Sequence, residues 1–282
     1  MKRLMRLFTV ALFALPLVAM AQLISMDDLQ KEIKSNKKLV VIGIDEAGGK
    51  IPGSRFVDYK TVRVKSNVPD AKTFEALVQK EGVSNDSKVV IVEQGKDTDS
   101  LAKATRLYWT FKYYGHDNVA ILNGGLQEWT DMGGEVTDAK PADVKAGNFA
   151  AKAPNAAIYA SVDDVKAAVG KQMIIDVRDL GAYIGVYQKK GTKQAGHIDG
   201  AKAAPLMLYT KTGTAVRSKA ELEKLFADLK IDLNGENIVY CNSGSQASVG
   251  WYVIHEVLGK KAKVFDGSMN EWDGPVSVKL QN

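Results

Sequence analysis

The chain has a single cysteine, Cys241, and this residue is the only thiol that could act as a nucleophile. It follows the apolar run 238–240 and precedes a stretch of small and polar residues, Asn242-Ser243-Gly244-Ser245-Gln246. A cysteine at the end of a buried strand and before a helix lies where backbone N–H groups can converge on its sulfur. Such a turn favours the thiolate and binds an anion beside it. The pattern therefore predicts a reactive thiol in an anion-binding loop, with a buried and inert cysteine as the alternative.

The elements around Cys241 are predicted from hydrophobic patterning. In the first half, short β-branched runs alternate with helical patterns at 39–44, 70–80, 88–92, 100–114 and 119–122. The second half repeats the alternation at 173–177, 219–229, 237–240, 247–258 and 262–265. Apolar runs this short, separated by helices, predict buried parallel strands in an α/β fold. In the helix after Cys241, the spacing of Ala247, Trp251, Ile254 and Leu258 predicts one buried face.

An internal repeat divides the chain into two domains of one fold. Leu122-Asn123-Gly124-Gly125-Leu126-Gln127-Glu128-Trp129 recurs as Phe265-Asp266-Gly267-Ser268-Met269-Asn270-Glu271-Trp272, and Ile51-Pro52-Gly53-Ser54 recurs as Ile198-Asp199-Gly200-Ala201. The repeat predicts a first domain at 22–136, a linker at 137–157 and a second domain at 158–282. Glu93 occupies the place in the first copy that Cys241 holds in the second. We therefore expect chemistry only in the second domain, with the first domain helping to wall its site.

Composition and the N-terminal segment narrow the class of protein. With 45% hydrophobic residues, 25% charged residues and 7 prolines among 282, the chain is typical of a folded globular protein. Residues 1–21 combine a basic start, an apolar run and Ala19-Met20-Ala21, which predicts a secretory signal peptide and a periplasmic or secreted protein. The apolar run is too short to span a bilayer. Loss of Lys2, Arg3 and Arg6 would lower the formal charge from +5 to +2, which argues against nucleic acid as a partner.

Four elements together resemble the rhodanese family. They are Asp176-Val177-Arg178, Gly196-His197-Ile198-Asp199-Gly200-Ala201, Cys241 to Ala247, and Asp266-Gly267-Ser268 up to Trp272. With the degenerate first copy, they are similar to the tandem thiosulfate or 3-mercaptopyruvate sulfurtransferases. The resemblance implies two domains, each a mainly parallel sheet flanked by helices, and a sulfurtransferase without metal or organic cofactor. It implies that Cys241 takes sulfane sulfur from a small donor, holds it as a persulfide and passes it to a thiol, a cyanide-like acceptor or a protein acceptor.

Each candidate site residue has an expected role. Cys241 is the catalytic residue, Asp176 supports the loop, and the donor is expected to contact Asn242, Ser243, Gly244, Ser245, Gln246, Ala247 and Arg178. His116, His197 and His255 lack the spacing of a metal site. A phosphatase would need arginine at position 247 to clamp an oxyanion, and that residue is Ala247. The alternative to an enzyme is a sulfur or oxyanion carrier that a partner loads and unloads without turnover.

The second domain departs from the family where the donor's charge is bound. The family's tandem members carry arginine in the stretch that here reads Ala182-Tyr183-Ile184-Gly185, and thiosulfate-preferring members tend to have arginine where Asn242 stands. The candidates to replace this charge are Arg178, Lys189, Lys190 and Lys193. If the donor meets only backbone N–H groups and a distant lysine, thiosulfate is expected to be a poor donor.

The signal peptide yields the first testable prediction. Because the small-x-small motif ends at Ala21, the exported protein should begin at Gln22. N-terminal sequencing of the protein recovered from the periplasm or medium measures this directly. A recovered chain that still carries the apolar run would contradict the assignment to the exported class.

Overall fold

The computed structural model describes residues 23–44, 49–63, 67–140 and 143–280. The predicted signal peptide lies outside these residues. The described chain forms two five-stranded sheets, one in each half, and all strand pairs within both sheets are parallel. The predicted α/β class is therefore confirmed. Every helix in the described residues is too short or too polar to span a bilayer.

The two sheets have the same strand order, which confirms the internal repeat at the level of topology. The first sheet runs β1-β5-β4-β2-β3, with β1 at Leu23–Ile24, β2 at Leu39–Ile44, β3 at Arg55–Val57, β4 at Lys88–Val92 and β5 at Val119–Leu122. The second runs β6-β11-β10-β7-β9, with β6 at Tyr159–Ala160, β7 at Met173–Asp176, β9 at Lys202–Ala203, β10 at Asn237–Tyr240 and β11 at Ala262–Phe265. A separate antiparallel pair joins β8 (His197–Ile198) to β12 (Val276–Ser277).

Helices cover the sheets and begin at polar caps. In the first half they are α1 (Met26–Ser35), α2 (Ala71–Lys80), α3 (Thr98–Tyr113) and α4 (Gly125–Asp131). In the second half they are α5 (Val162–Ala168), α6 (Leu180–Tyr183), α7 (Lys219–Asp228), α8 (Ser245–Trp251) and α9 (Ser268–Glu271). Asp70 and Asp97 accept backbone N–H groups at the starts of α2 and α3, and Ser218 forms a capping box with Glu221 at α7. Such caps satisfy N–H groups that a helix start leaves unpaired.

The helix after Cys241 is buried on more than the one face that its spacing predicted. All residues from Ala247 to Trp251 in α8 are buried, and a π-helical segment, Tyr252–Val257, continues the helix with four more buried residues. The reason is that α3 of the first domain packs on the side opposite the sheet. There Thr105 hydrogen-bonds Ser248 (2.8 Å) and Tyr108 donates to Glu256 (2.9 Å). The α3–α8 contact joins the two domains through a buried interface.

The segment between the domains runs along the first domain. Backbone N–H groups of Gly147, Phe149 and Lys152 donate to carbonyls of Gln79, Val83 and Tyr114 at 2.8–3.2 Å. Phe149 is buried against Phe74 and Phe111. These contacts fix the path of the chain into β6, which is an edge strand of the second sheet.

Candidate active site

Cys241 follows the central strand of the second sheet. All four residues of β10 are buried, and Cys241 itself is only 2% exposed. The next three residues form the turn, and α8 begins at Ser245. Parallel strands end at one edge of a sheet, which is where α/β folds place their ligand sites. The loop Asn242 to Ala247 thus surrounds the thiol at that edge, as the sequence predicts.

The backbone of Gly244 contacts the sulfur directly. Its N–H donates to the Sγ of Cys241 at 3.1 Å, and its φ of +85° is one that side chains rarely adopt. A Cβ atom at this position would lie 2.5 Å from the carbonyl oxygen of Asp266. Glycine is therefore required both by conformation and by space. This hydrogen bond favours a negative charge on the sulfur.

Ser268 supplies a second group beside the thiol. Its Oγ accepts the backbone N–H of Cys241 (3.1 Å), lies 3.9 Å from the Sγ and donates to the carbonyl of Phe265 (2.7 Å). The residue is fully buried and has a φ of +49°, a region that favours glycine. The matched residue of the first domain is Gly125. The sequence signalled Ser268 only as a serine where the other copy has glycine, and sequence analysis assigned it no role.

The first domain forms one wall of the loop. The Tyr59 hydroxyl forms a short hydrogen bond with Ser245, and Nη2 of Arg63 donates to the carbonyl of Ser243 (2.5 Å). These contacts join residues 180 or more positions apart, so no local pattern could predict them. Sequence analysis expected a wall from the first domain but named neither residue.

A buried ion pair completes this wall. Nη1 of Arg106, in α3, donates to Oδ1 of Asp266, and Oδ2 of Asp266 accepts the N–H of Val68 at 2.8 Å. Both charged side chains are almost fully buried. Burial alone would lower the pKa of Arg106, but the Asp266 carboxylate outweighs it and raises that pKa above its ordinary value. The guanidinium is therefore charged, and among the described residues its Nε and Nη2 have no hydrogen-bond partner.

The other predicted residues are placed differently around the thiol. The carboxylate of Asp176 accepts the backbone N–H, Nε and Nη2 of Arg178 at 2.6–3.0 Å, and Nη2 of Arg178 also donates to Gly196 (2.7 Å). Both side chains are buried. These hydrogen bonds of Asp176 hold Arg178, and its support of the loop remains a prediction. The donor contact of Arg178 remains a prediction.

An arginine that sequence analysis did not name as a candidate lies at the loop. Nζ of Lys193 donates to the carbonyl of Glu271 (2.9 Å), whereas Arg63 contacts the loop itself. Ala182 is buried in α6. Within the described residues, no cluster of three or more His, Cys, Asp or Glu side chains could hold a metal ion.

The matched place in the first domain holds a buried acid. Glu93 accepts the N–H of Gly95 (2.5 Å) and the hydroxyl of Thr214 from the second domain (2.6 Å). Burial raises its pKa to about 7, although these two hydrogen bonds act in the opposite direction. Nearby, the N–H of Val216 donates to Oδ1 of Asn123 (3.2 Å), just as Val68 donates to Asp266 in the other copy. The two copies therefore cover each other's loops in the same way.

Comparison with known proteins gives a consistent result. A profile of the rhodanese-like domain matches the chain twice, at residues 25–132 and 161–274. A provisionally named thiosulfate sulfurtransferase of Saccharopolyspora erythraea is 31% identical over 245 residues, which are 83% of this chain and 85% of that protein. The sulfur carrier protein TtuD of Thermus thermophilus is 31% identical over 278 residues, 92% and 95% of the two chains.

A solved structure supports the fold. SseA from Escherichia coli, a 3-mercaptopyruvate sulfotransferase, aligns with a TM-score of 0.77 and 23% identity over 88% of this chain and 98% of that chain. At that identity the likeness speaks for the fold alone. It agrees with the two parallel sheets described above, so the predicted tandem architecture is confirmed.

The position of Ser268 predicts a loss of thiol reactivity without a loss of fold. Replacement of Ser268 by glycine removes the hydroxyl beside Cys241 but suits the positive φ. The single proton of this hydroxyl can turn from the Phe265 carbonyl toward the Sγ when Cys241 is a thiolate. Since one hydrogen bond is worth about 0.5–1.5 kcal/mol, alkylation of Cys241 at neutral pH should slow about three- to tenfold. Ser268→Ala should lose the same reactivity at unchanged backbone strain, because serine and alanine both carry a Cβ at that φ. Unchanged alkylation in both variants would show that the hydroxyl does not act on the thiol.

Burial of Glu93 predicts a pH dependence of stability. The pKa of Glu93 is about 7 in the folded protein, and its ordinary value is 4.5. Its effect on the free energy of unfolding is therefore most favourable below pH 4.5, and that free energy falls as pH rises to about 7. The loss approaches roughly 3 kcal/mol. Glu93→Gln should remove this decline in urea melts between pH 4.5 and 8. Glu221→Gln is the control: the pKa of Glu221 is lowered to about 2, so its effect should stay constant over that range. Parallel curves for wild type and Glu93→Gln would refute the assignment.

Proposed function

This chain belongs to the rhodanese-like domain family, and from that premise we propose that it is a sulfurtransferase acting through a persulfide on Cys241. The single observation that carries the proposal is the environment of the only thiol. Its Sγ accepts an N–H from Gly244, it lies beside the Ser268 hydroxyl, and positive charge stands behind the loop. Those groups stabilise sulfur when it carries negative charge, which is needed both before attack and in the persulfide.

Two displacement steps account for transfer. In the first, the Cys241 thiolate attacks the sulfane sulfur of the donor, a new S–S bond forms, and the donor's leaving group departs with the electron pair of the broken bond. In the second, the acceptor attacks the outer sulfur of the persulfide, and Cys241 leaves as the thiolate. Both steps proceed without net oxidation, since sulfane sulfur passes from one nucleophile to another. Gly244 and Ser268 can contact the inner sulfur throughout.

In this proposal the two domains have different tasks. Glu93 has no thiol chemistry, and its carboxylate is already bonded to Thr214 and Gly95. The first domain instead contributes Tyr59, Arg63 and Arg106 to the loop of the second. A small sulfur donor, a thiol or cyanide-like acceptor and a protein acceptor are the partners we propose. Thiosulfate is the donor in the name of the relative from Saccharopolyspora erythraea.

A second candidate function is a sulfur carrier without turnover of its own. The 31% identity to the sulfur carrier protein TtuD over 92% of this chain favours it. The two functions differ in stoichiometry. With thiosulfate and cyanide in excess, an enzyme makes many thiocyanate molecules per chain, whereas a carrier stops at one sulfur per chain until a partner protein is added.

Export to the periplasm or medium is part of the proposal. Cleavage after Ala21 would leave β1 intact, because this strand begins at Leu23 and pairs with β5 as the edge strand of the first sheet. A single cysteine also suits an oxidising compartment, because a second cysteine there could form a disulfide with Cys241.

The central prediction concerns Cys241 itself. Cys241→Ser should abolish sulfur transfer and leave the fold intact, because serine keeps the size of the side chain but cannot form a persulfide. Intact mass spectrometry after incubation with donor should show a gain of one sulfur, about 32 Da, in wild type only. Glu93→Gln is the matched control and should be loaded like wild type. An adduct on the serine variant would disprove the mechanism.

A further inference from the structure

The loop that follows Cys241 carries no charged side chain of its own. Residues 242–247 are all uncharged, Ala182 is buried, and Arg178 is bonded to Asp176 and Gly196. A donor whose leaving group is an oxyanion needs a charged partner to compete with water. A charged partner for such a donor must therefore lie outside this loop.

The first domain places Arg63 at this point. Its Nη2 donates to the Ser243 carbonyl at 2.5 Å, so the guanidinium touches the turn that follows Cys241. The Cζ atom of this guanidinium lies 5.9 Å from the ring centre of Tyr59, whose hydroxyl hydrogen-bonds Ser245. Arg63 is half-buried, and its guanidinium also hydrogen-bonds Tyr59. A guanidinium presents five N–H groups in one plane, so it can serve a carbonyl and an oxyanion together.

Arg106 adds charge behind the loop. Its Nη1 would lie 3.1 Å from a Cβ on Gly244, which places the guanidinium directly behind the residue that donates to Sγ. It is fully buried, and its Nε and Nη2 have no partner among the described residues. A buried cation with unpaired donors stabilises negative charge in front of it. Arg106 is paired with Asp266 and cannot reach a donor in bulk solvent, which leaves Arg63 as the contacting group.

We propose that Arg63, from the first domain, binds the oxyanion of the sulfur donor and thereby makes the enzyme selective for donors with an anionic leaving group such as thiosulfate. This inference rests on the proposed function. The Cys241 thiolate attacks the outer sulfur of thiosulfate, the S–S bond of the donor breaks, and sulfite leaves with the electron pair. Arg63 holds the sulfonate oxygens during attack and stabilises the charge that grows on the departing sulfite. The missing arginine of the second domain is in this way replaced across the domain interface.

Donor selectivity tests the proposal. Wild type, Arg63→Gln and Arg63→Lys are assayed with thiosulfate and with the hydropersulfide of 2-mercaptoethanol, which lacks an oxyanion group. Arg63→Gln should raise KM for thiosulfate at least tenfold while changing the hydropersulfide reaction less than about twofold, since a charge-assisted contact is lost with only one donor. Arg63→Lys should recover part of the thiosulfate activity, because it keeps the charge but not the planar fork.

Arg217→Gln is the matched control. Arg217 is also half-buried, and its Nε also donates to a backbone carbonyl, that of Leu208 at 2.9 Å. It borders a groove beside Asn123 and Val216, on the side of the first domain's degenerate loop. This variant should leave both donors unaffected, which separates a loss of oxyanion binding from a general effect of removing an arginine.

Each other outcome has a definite meaning. If Arg63→Gln slows both donors equally, Arg63 only holds the loop through Ser243 and the inference fails. If it changes neither donor, the inference also fails, but the proposed function stands as long as wild type forms the persulfide. If wild type is loaded by neither donor, the proposed function itself fails, and the inference fails with it.

Discussion

The ion pair between Arg106 and Asp266 is the contact on which the rest of the site depends. It joins a helix of the first domain to the residue that follows β11 of the second, and both partners are almost fully buried. A buried pair gains little stability over apolar packing, but loss of one partner leaves a charge without solvent and costs about 3–5 kcal/mol. The pair therefore fixes how the two domains meet more than it stabilises either one.

The Arg106–Asp266 pair also fixes the positions of several groups around the thiol. The second oxygen of Asp266 accepts the N–H of Val68, which holds the first domain's wall against the site. Gly244 has space only for a hydrogen atom because Asp266 and Arg106 lie behind it. Two residues after Asp266, Ser268 adopts its positive φ and brings its hydroxyl to Cys241. One pair thus positions the N–H donor, the hydroxyl and the wall.

The sequence predicts the local part of this arrangement and misses the part that crosses the interface. The apolar runs at Lys88–Val92 and Asn237–Tyr240 show no competing helical spacing, so the bounds of both strands were predicted to the residue. The position of Cys241 directly after the second of these strands was predicted with them. Arg63 and Arg106 could not be identified because their partners lie 160 or more positions away. The serine at 268 was visible in the repeat, but only its contact with the thiol gives it a meaning.

The difference between the two copies explains why the first domain is needed although it lacks a nucleophile. Val68 and Val216 make the same kind of N–H bond, one to the charged Asp266 and the other to the neutral Asn123. Counted from the matched glycines Gly115 and Gly259, the residue nine positions earlier is Arg106 in one copy and Gly250 in the other. A side chain at Gly250 would meet Val239 and Val177 within 3 Å, so no arginine fits there.

Charge and nucleophile are therefore divided between the copies. The second domain holds the thiol and the carboxylate, and the first holds the arginine that neutralises that carboxylate. The first copy has no thiol, and neutral Asn123 stands at the place of Asp266. Its buried acid is best accommodated as a neutral group, in line with the pKa of Glu93 being raised to about 7. A site that stabilises negative sulfur needs positive surroundings, and Arg63 and Arg106 bring positive charge to the thiol loop from the domain that has no cysteine.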